Sequence, residues 1–290
     1  MTAVLLAGST GYLGRALTAR LIPEVPVIGL TRRDLPARPG VTWVNWGDDD
    51  AIRAVAGDQE IVIVDCIGES RESKMGITQA GNYHAMERLI GIGRHLNTRR
   101  VAYFSGYGTG MPTTSVYFAT KTASENLLAE SGLPWVSLRA SYIVGGPDEI
   151  FPMLIAAARS SGVIDYPGSG NYRVQPIHVE DVASVIHAIA TRDALATGPH
   201  DVLGGVISYR AFLEHTLGRL PLRLVSQDIE RALADATVRA DAPLSLDQLA
   251  ILVCDKVGEP TQELGGVKFR PLEAIIAELA AHWEGVWNGK

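Results

Sequence analysis

Tyr117 and Lys121 bracket the segment Tyr117-Phe118-Ala119-Thr120-Lys121, four positions apart. In a helix that spacing puts both side chains on one face, one turn apart. A phenol ordinarily titrates near 10, too high for proton transfer at neutral pH. A neighbouring ammonium favours the phenolate and brings the group toward working pH. Such a pair can give a proton to a carbonyl oxygen or take one from an alcohol. Ser105 closes an apolar run upstream, and a hydroxyl there can donate to a developing oxyanion. Structural readings compete with these. Tyr117 can simply start an amphipathic helix, Lys121 can pair with Glu125 on the surface at i+4, and Ser105 can be a turn residue.

A second cluster lies near the N-terminus. Gly8-Ser9-Thr10-Gly11-Tyr12-Leu13-Gly14 follows a short apolar run at residues 3–7 and opens a helical pattern. Glycine lets backbone approach a pyrophosphate, and a helix N-terminus offers it N–H groups and partial positive charge. Gly14 would let the helix pack closely on the strand. This loop predicts a dinucleotide site. The next apolar run ends in Thr31-Arg32-Arg33, where a free ribose 2′-hydroxyl would call for an acidic residue. Guanidinium groups suit a 2′-phosphate instead, so the expected cofactor is NADP(H) rather than NAD(H). Asp48, within Gly47-Asp48-Asp49-Asp50, is an acceptor for the adenine amino group, a solvated loop residue, or the N-cap of a helix.

Holding these groups takes a framework, and the chain supplies one. Apolar runs at residues 25–30, 41–44, 61–67, 101–104 and 135–138 alternate with helical spacing at 12–21, 82–96 and 117–129. The runs are continuous and rich in β-branched residues, as strands buried on both faces are. Strands separated by helices imply a parallel sheet with right-handed crossovers. The expected fold is α/β, a doubly wound parallel sheet (Rossmann fold) with a small, partly interleaved C-terminal substrate domain. Residues 1–145 and 177–205 are assigned to the dinucleotide-binding domain, and 146–176 and 206–290 to the smaller cap. Beyond residue 145, helices are expected at 150–160 and 179–190, a loop or strand pair at 162–172 and a strand at 200–203.

Composition narrows the function classes. Of 290 residues, 47 % are hydrophobic and 20 % charged, with a net charge of −6, which is ordinary for a soluble globular chain and unlike a nucleic-acid binder. Cys66 and Cys254 lie far apart in apolar runs and read as buried hydrophobes rather than a zinc or redox pair. The seven histidines show no ligand spacing, so no metal is expected. There is no GxSxG elbow and no GxxxxGK[ST] loop. Val4-Leu5-Leu6-Ala7 follows the start without a basic leader, and no apolar run has membrane-spanning length. A cytoplasmic protein, monomer or homodimer, is expected.

Glycine loop, Ser105, Tyr117 and Lys121 together resemble the short-chain dehydrogenase/reductase superfamily. The spacing Gly8, Gly11, Gly14 is similar to that of its extended and atypical branches, as is Asn82 in the helix before the fifth strand. So are Arg139-Ala140-Ser141-Tyr142-Ile143-Val144-Gly145 and Tyr172-Arg173-Val174-Gln175-Pro176-Ile177-His178-Val179-Glu180-Asp181-Val182-Ala183. Leu244-Ser245-Leu246-Asp247-Gln248-Leu249 and residues 264–272 resemble the atypical group that includes the NAD(P)H-binding accessory subunit of respiratory complex I. Two departures stand out. Ser105 and Tyr117 are closer together than in the extended sugar-nucleotide enzymes, and Ala140 stands where a proline is usual.

The resemblance implies an NADP(H)-dependent oxidoreductase for a small carbonyl or alcohol. Tyr117 would move the proton, Lys121 would activate it and hold the cofactor ribose, and Ser105 would donate to the oxyanion. Cys66-Ile67-Gly68 and Ser141, with Asn82, join the expected cofactor-binding set. Residues 145–152 and 166–173 should border the substrate, with Tyr142 and Arg173 in contact; packing is an equal alternative for Tyr142. His178 and Asp181 are expected to be structural, Asp181 capping a helix over 182–190. The alternatives are a nucleotide-sugar epimerase or dehydratase with retained cofactor, and a non-catalytic NADP-binding subunit or redox sensor.

Overall fold

The computed structural model describes residues 1–68, 80–113, 115–146, 150–238 and 244–289. Its first half runs β1 (Thr2–Ala7), α1 (Tyr12–Leu21), β2 (Val27–Thr31), β3 (Val41–Asn45), α2 (Asp49–Ala56), β4 (Glu60–Asp65), α3 (Ala80–Gly93), β5 (Thr98–Gly106), α4 (Val116–Ala129) and β6 (Trp135–Ala140). There follow β7 (Tyr142–Val144), α5 (Ile150–Ser161), β8 (Val163–Pro167), β9 (Arg173–Val174), β10 (Pro176–His178), α6 (Val179–Arg192) and β11 (Gly198–Val202). The remainder comprises β12 (Ile207–Ser208), α7 (Tyr209–Leu217), β13 (Arg223–Gln227), α8 (Ile229–Val238), α9 (Leu246–Val253), β14 (Glu263–Leu264), β15 (Val267–Lys268) and α10 (Leu272–Trp287).

Seven strands form one parallel sheet in the order β11-β6-β5-β4-β1-β2-β3. The chain works outward from β1 to β3, then returns to β4 on the other side of β1. The strand order therefore reverses between β1 and β4, where a crevice opens beyond the strand ends. Register aligns those ends: Ala7 lies opposite Asp65, and Asp65 opposite Tyr103.

Both faces of the sheet are covered. Val4, Leu6, Val62 and Val64 point to one side and pack with Leu17 and Leu21 of α1 and Val182, Val185 and Ile186 of α6. Ala3, Leu5, Ile61 and Ile63 point to the other and meet Ile52 of α2, Met86 and Leu89 of α3, and Leu128 of α4. Burying each such side chain contributes about 1.5–3 kcal/mol, which is why these strands read as continuous apolar runs. A third cluster lies away from the sheet among α5, α7 and α10, where Phe151 stacks on Trp283 at 5.6 Å and meets Phe212 edge-on.

Several expectations change in detail. The segment expected as a loop or strand pair holds β8, which pairs not with a neighbour but in parallel with the distant β13. Helix α6 begins at Val179, so Asp181 lies inside its first turn and is not the cap. The N-cap is His178, whose Nδ1 accepts the Glu180 N–H at 3.3 Å. Asp181 instead accepts the Arg270 backbone N–H at 2.9 Å, tying the chain before α10 to α6. Burial and the neighbouring Arg270 guanidinium hold His178 below its usual range. Cys254 follows α9 and is exposed, not buried, and Cys66 is only half-buried.

Candidate functional site

The glycine loop joins β1 to α1 and is packed to near-contact. Gly8 has φ +78°, and a Cβ there would lie 2.9 Å from the Cys66 carbonyl carbon. At Gly14 a Cβ would lie 2.1 Å from the Gly8 oxygen, so the helix can approach the loop only without a side chain. Gly11 is the N-cap of α1 and supplies no side-chain bond, and no acidic residue sits in the first turn. No side chain of its own first turn compensates that helix end. Ser9 anchors the loop to the neighbouring strand by donating to Leu30 O at 3.0 Å, and Arg15 donates to Thr10 O. Tyr12 donates to Gly145 O at 2.7 Å, and Leu13 packs on the core.

The rest of the expected cofactor set is distributed around that crevice. Arg32 and Arg33 are exposed just past β2, in a turn closed by Thr31, which accepts the Arg33 N–H at 3.0 Å. Neither guanidinium is in an ion pair among the described residues. Asp48 caps α2, accepting the Ala51 N–H at 2.9 Å, so its capping reading is the one the geometry displays. The Cys66 thiol donates to Ala7 O, and burial and Asp65 push it up. Asn82 is buried near the start of α3. The Ser141 hydroxyl donates to Gln175 O and so binds the β6–β7 junction to the β9–β10 junction.

Helix α4 carries the tyrosine and lysine. Ser115 caps it by accepting the Phe118 N–H. A second acceptor, the Asp247 carboxylate of α9, takes the Val116 and Tyr117 N–H groups at 3.1 and 2.9 Å. Local sequence reasoning missed this role, because the partners stand 130 positions apart. Lys121 is 1 % exposed, so the expected surface pair with Glu125 does not form. Glu125 instead accepts from Ser137 and Arg139. Lys121 Nζ donates to Phe104 O at 2.7 Å and Ile67 O at 3.4 Å, and lies 4.6 Å from the Tyr103 ring and 5.6 Å from that of Tyr117. It also lies 3.7 Å from where a Cβ on Gly68 would be.

Burial dominates the titration of this cluster. It lowers Lys121 to about 8, against the attraction of Asp65. It raises Asp65 to about 6, against the attraction of Lys121. Tyr117 is pushed up to about 12 by burial and then by the Asp247 charge. With Lys121 as its cationic neighbour, the Tyr117 phenol holds its proton at neutral pH. Ser105 is also displaced from its expected part. Its Oγ is buried and lies 2.8 Å from Thr109 Oγ1 inside the β5–α4 turn.

A cavity of about 270 Å³ opens beside Tyr117 and Phe118, with Gly106 and Tyr107 from the end of β5 on the same side. Ser105 and Lys121 do not line it. Tyr142 and Arg173 do, together with Leu244, Ile251 and Leu252 around α9. Tyr142 also packs edge-on against Phe212. Arg173 is already held by both oxygens of Asp255, at 2.9 to 3.3 Å. Of the two segments expected at the substrate, residues 147–149 lie outside the described residues. Gly145, Gly146, Phe151 and Pro152 do not line the cavity, and of 166–173 only Arg173 does.

A family model described as the NAD dependent epimerase/dehydratase family matches residues 4–204, from β1 to just past β11. The chain belongs to that family. Among curated proteins it is similar to the mitochondrial NADH dehydrogenase (ubiquinone) 1 alpha subcomplex subunit 9 of Arabidopsis thaliana, 26 % identical over 211 residues. The match covers 68 % of this chain but 52 % of that protein, so the chain spans about half the length of that relative. Solved structures share its fold. MoeE5 in complex with UDP-glucuronic acid and NAD has a TM-score of 0.71 at 18 % identity, covering 98 % of this chain and 99 % of that one. The dTDP-glucose 4,6-dehydratase of Bacillus anthracis in complex with NAD has a TM-score of 0.71 at 13 % identity, covering 99 % and 98 %. WbmH of Bordetella bronchiseptica in complex with NAD+ has a TM-score of 0.69 at 18 % identity, covering 98 % and 99 %. Among the described residues no helix is long and apolar enough to cross a membrane.

Proposed function

We propose that this family member is an NADP(H)-dependent oxidoreductase acting on a small carbonyl or alcohol. The observation that carries the reading is the placement of Tyr117 on the cavity wall with the buried Lys121 ammonium behind its ring. The loop residues fit a nicotinamide dinucleotide. Gly8 and Gly14 leave no room for a Cβ, and the uncapped start of α1 suits a pyrophosphate. Arg32 and Arg33 would take a 2′-phosphate. Asn82, Gly68 and Ser141 remain candidates for the nicotinamide half.

When bound, the dinucleotide supplies or accepts a hydride. In reduction, Tyr117 gives its phenolic proton to the substrate oxygen as the carbon receives that hydride. The resulting phenolate is favoured by the Lys121 ammonium. Phe104 O and Ile67 O hold the ammonium in place, and a positively charged nicotinamide would add to its effect on the phenol. Ser105 has no direct part in this arrangement while it is bonded to Thr109. Gly106 and Tyr107 stand nearer the cavity. Residues 1–145 and 177–205 would form the nucleotide-binding part, and the remainder the substrate part.

Tyr117→Phe tests the assignment. NADPH affinity should be kept, and turnover should fall by about 10²–10⁴-fold; undiminished turnover overturns the role. Titration with NADPH and NADH tests the arginines. Arg32→Ala with Arg33→Ala should weaken NADPH about tenfold or more and leave NADH unchanged. A second reading, a non-catalytic NADP-binding subunit, is favoured by the sequestered Ser105 hydroxyl. It predicts tight NADPH binding with no turnover of any carbonyl compound.

A further inference from the structure

The cavity beside Tyr117 carries an unbalanced charge. Its wall is mainly apolar and aromatic, with Phe118, Tyr142, Val174, Tyr209 and Ile251 among its residues. Among the described residues two cations reach it, Arg173 and Lys256, and no carboxylate lines it. Arg173 is neutralised, because Asp255 accepts its Nε and Nη2 as well as its backbone N–H. Lys256 is not. Among the described residues no carboxylate lies within ion-pair distance of its ammonium. That ammonium rests instead on the Phe118 ring, 4.0 Å from the centroid. It also fills the space over Gly108, 3.0 Å from where a Cβ would be. A half-buried cation on an aromatic face, in a chain of net charge −6, has no anionic partner among the described residues to satisfy it.

The placement relative to Tyr117 is specific. Phe118 is the next residue of α4, and its ring centroid lies 5.3 Å from that of Tyr117. Two ring contacts in series therefore separate the proton-donating phenol from the ammonium. A short molecule spans that gap. Resting on the oxidoreductase reading above, we infer that the substrate is a short keto or hydroxy acid with an apolar or aromatic body. Its carboxylate pairs with Lys256 while its carbonyl or hydroxyl group meets Tyr117. The apolar walls take the body of the molecule, and a charge-assisted bond to Lys256 sets its direction in the cavity.

The test uses a matched pair of probes, 4-oxo-4-phenylbutanoate and its primary amide, with the full chain saturated with NADP+. Calorimetric titration should show the acid binding about ten- to hundredfold more tightly than the amide. Lys256→Gln should abolish the difference and Lys256→Arg should restore most of it, with NADP+ affinity and melting temperature unchanged as controls on folding. Equal binding of acid and amide to the native chain, a preference that survives Lys256→Gln, or no binding of either at millimolar concentration each overturns the inference. Oxidation of NADPH is followed separately. Acid-selective binding without turnover would refute the oxidoreductase reading and leave the anion site standing. Equal turnover of both probes would refute the anion site and leave the oxidoreductase reading standing.

Discussion

Asp65 ends β4 in full burial, and replacing it with asparagine should make the protein more stable. The carboxyl's ordinary value is 3.8, and in the fold it rises to about 6, chiefly through burial and despite the attraction of Lys121. The ionised form is therefore disfavoured by the fold. The interval between those values, at about 1.4 kcal/mol per tenfold, corresponds to about 3 kcal/mol. Because the native state binds the proton more tightly than the unfolded chain, this group's contribution to stability falls as pH rises from 3.8 to about 6. The full cost is present at neutral pH and absent below both values. Asparagine keeps the acceptor for the Ile67 N–H, which Asp65 Oδ1 now takes at 2.9 Å. Asp65→Asn should then raise stability by about 3 kcal/mol at pH 7 and by about half of that at pH 5, a melting rise of about 5 °C at neutral pH for a chain of this size. Urea titration at both pH values checks it. A destabilised variant, or a gain equal at the two pH values, would refute the reasoning.

The Asp247 charge raises the Tyr117 phenol, so Asp247→Asn should lower it. Reductive activity needs the protonated phenol and is lost as pH rises through its value. The alkaline limb of the kcat/KM profile should therefore move down by about one pH unit, and an unmoved limb counts against the coupling. Gly14→Ala places a Cβ 2.1 Å from the Gly8 oxygen, a backbone clash with no flexible end to yield. NADPH binding should disappear and stability should fall by about 2–3 kcal/mol, read by cofactor titration and thermal melting.

What the sequence displayed was whatever local pattern could carry. β1 and β4 are buried on both faces, so Val4-Leu5-Leu6-Ala7 and Ile61-Val62-Ile63-Val64 read as strands at once. The helix bearing Tyr117 and Lys121 was placed to within one residue of α4. Lys121 itself was legible as a residue but not in its surroundings. The i+4 rule assumes an exposed helix face, whereas α4 turns this side chain toward the ends of β4 and β5, where backbone carbonyls receive it. Glu125 then found its partner on β6, a tertiary contact with no sequence period. Asp181 is not the cap because α6 starts at Val179, where its apolar spacing begins, and a histidine cap is not the usual signal. Asp247, Asp255 and Lys256 all come from the region around α9. Their partners lie on α4 and β9, and only folding brings them together.

The bond from Asp247 to the first turn of α4 also has a consequence in time. At ordinary rates of protein synthesis, residue 247 leaves the ribosome on the order of 10 s after residue 117. Well before then β1 to β6 have all emerged, and the glycine loop with its helix can already form. The segment that walls the cavity, with Leu244, Ile251 and Lys256, is still to come. On the function proposed above, a nascent chain would thus gain its nucleotide pocket before its substrate pocket. A dinucleotide bound at that stage would act as a template on which the later segment folds.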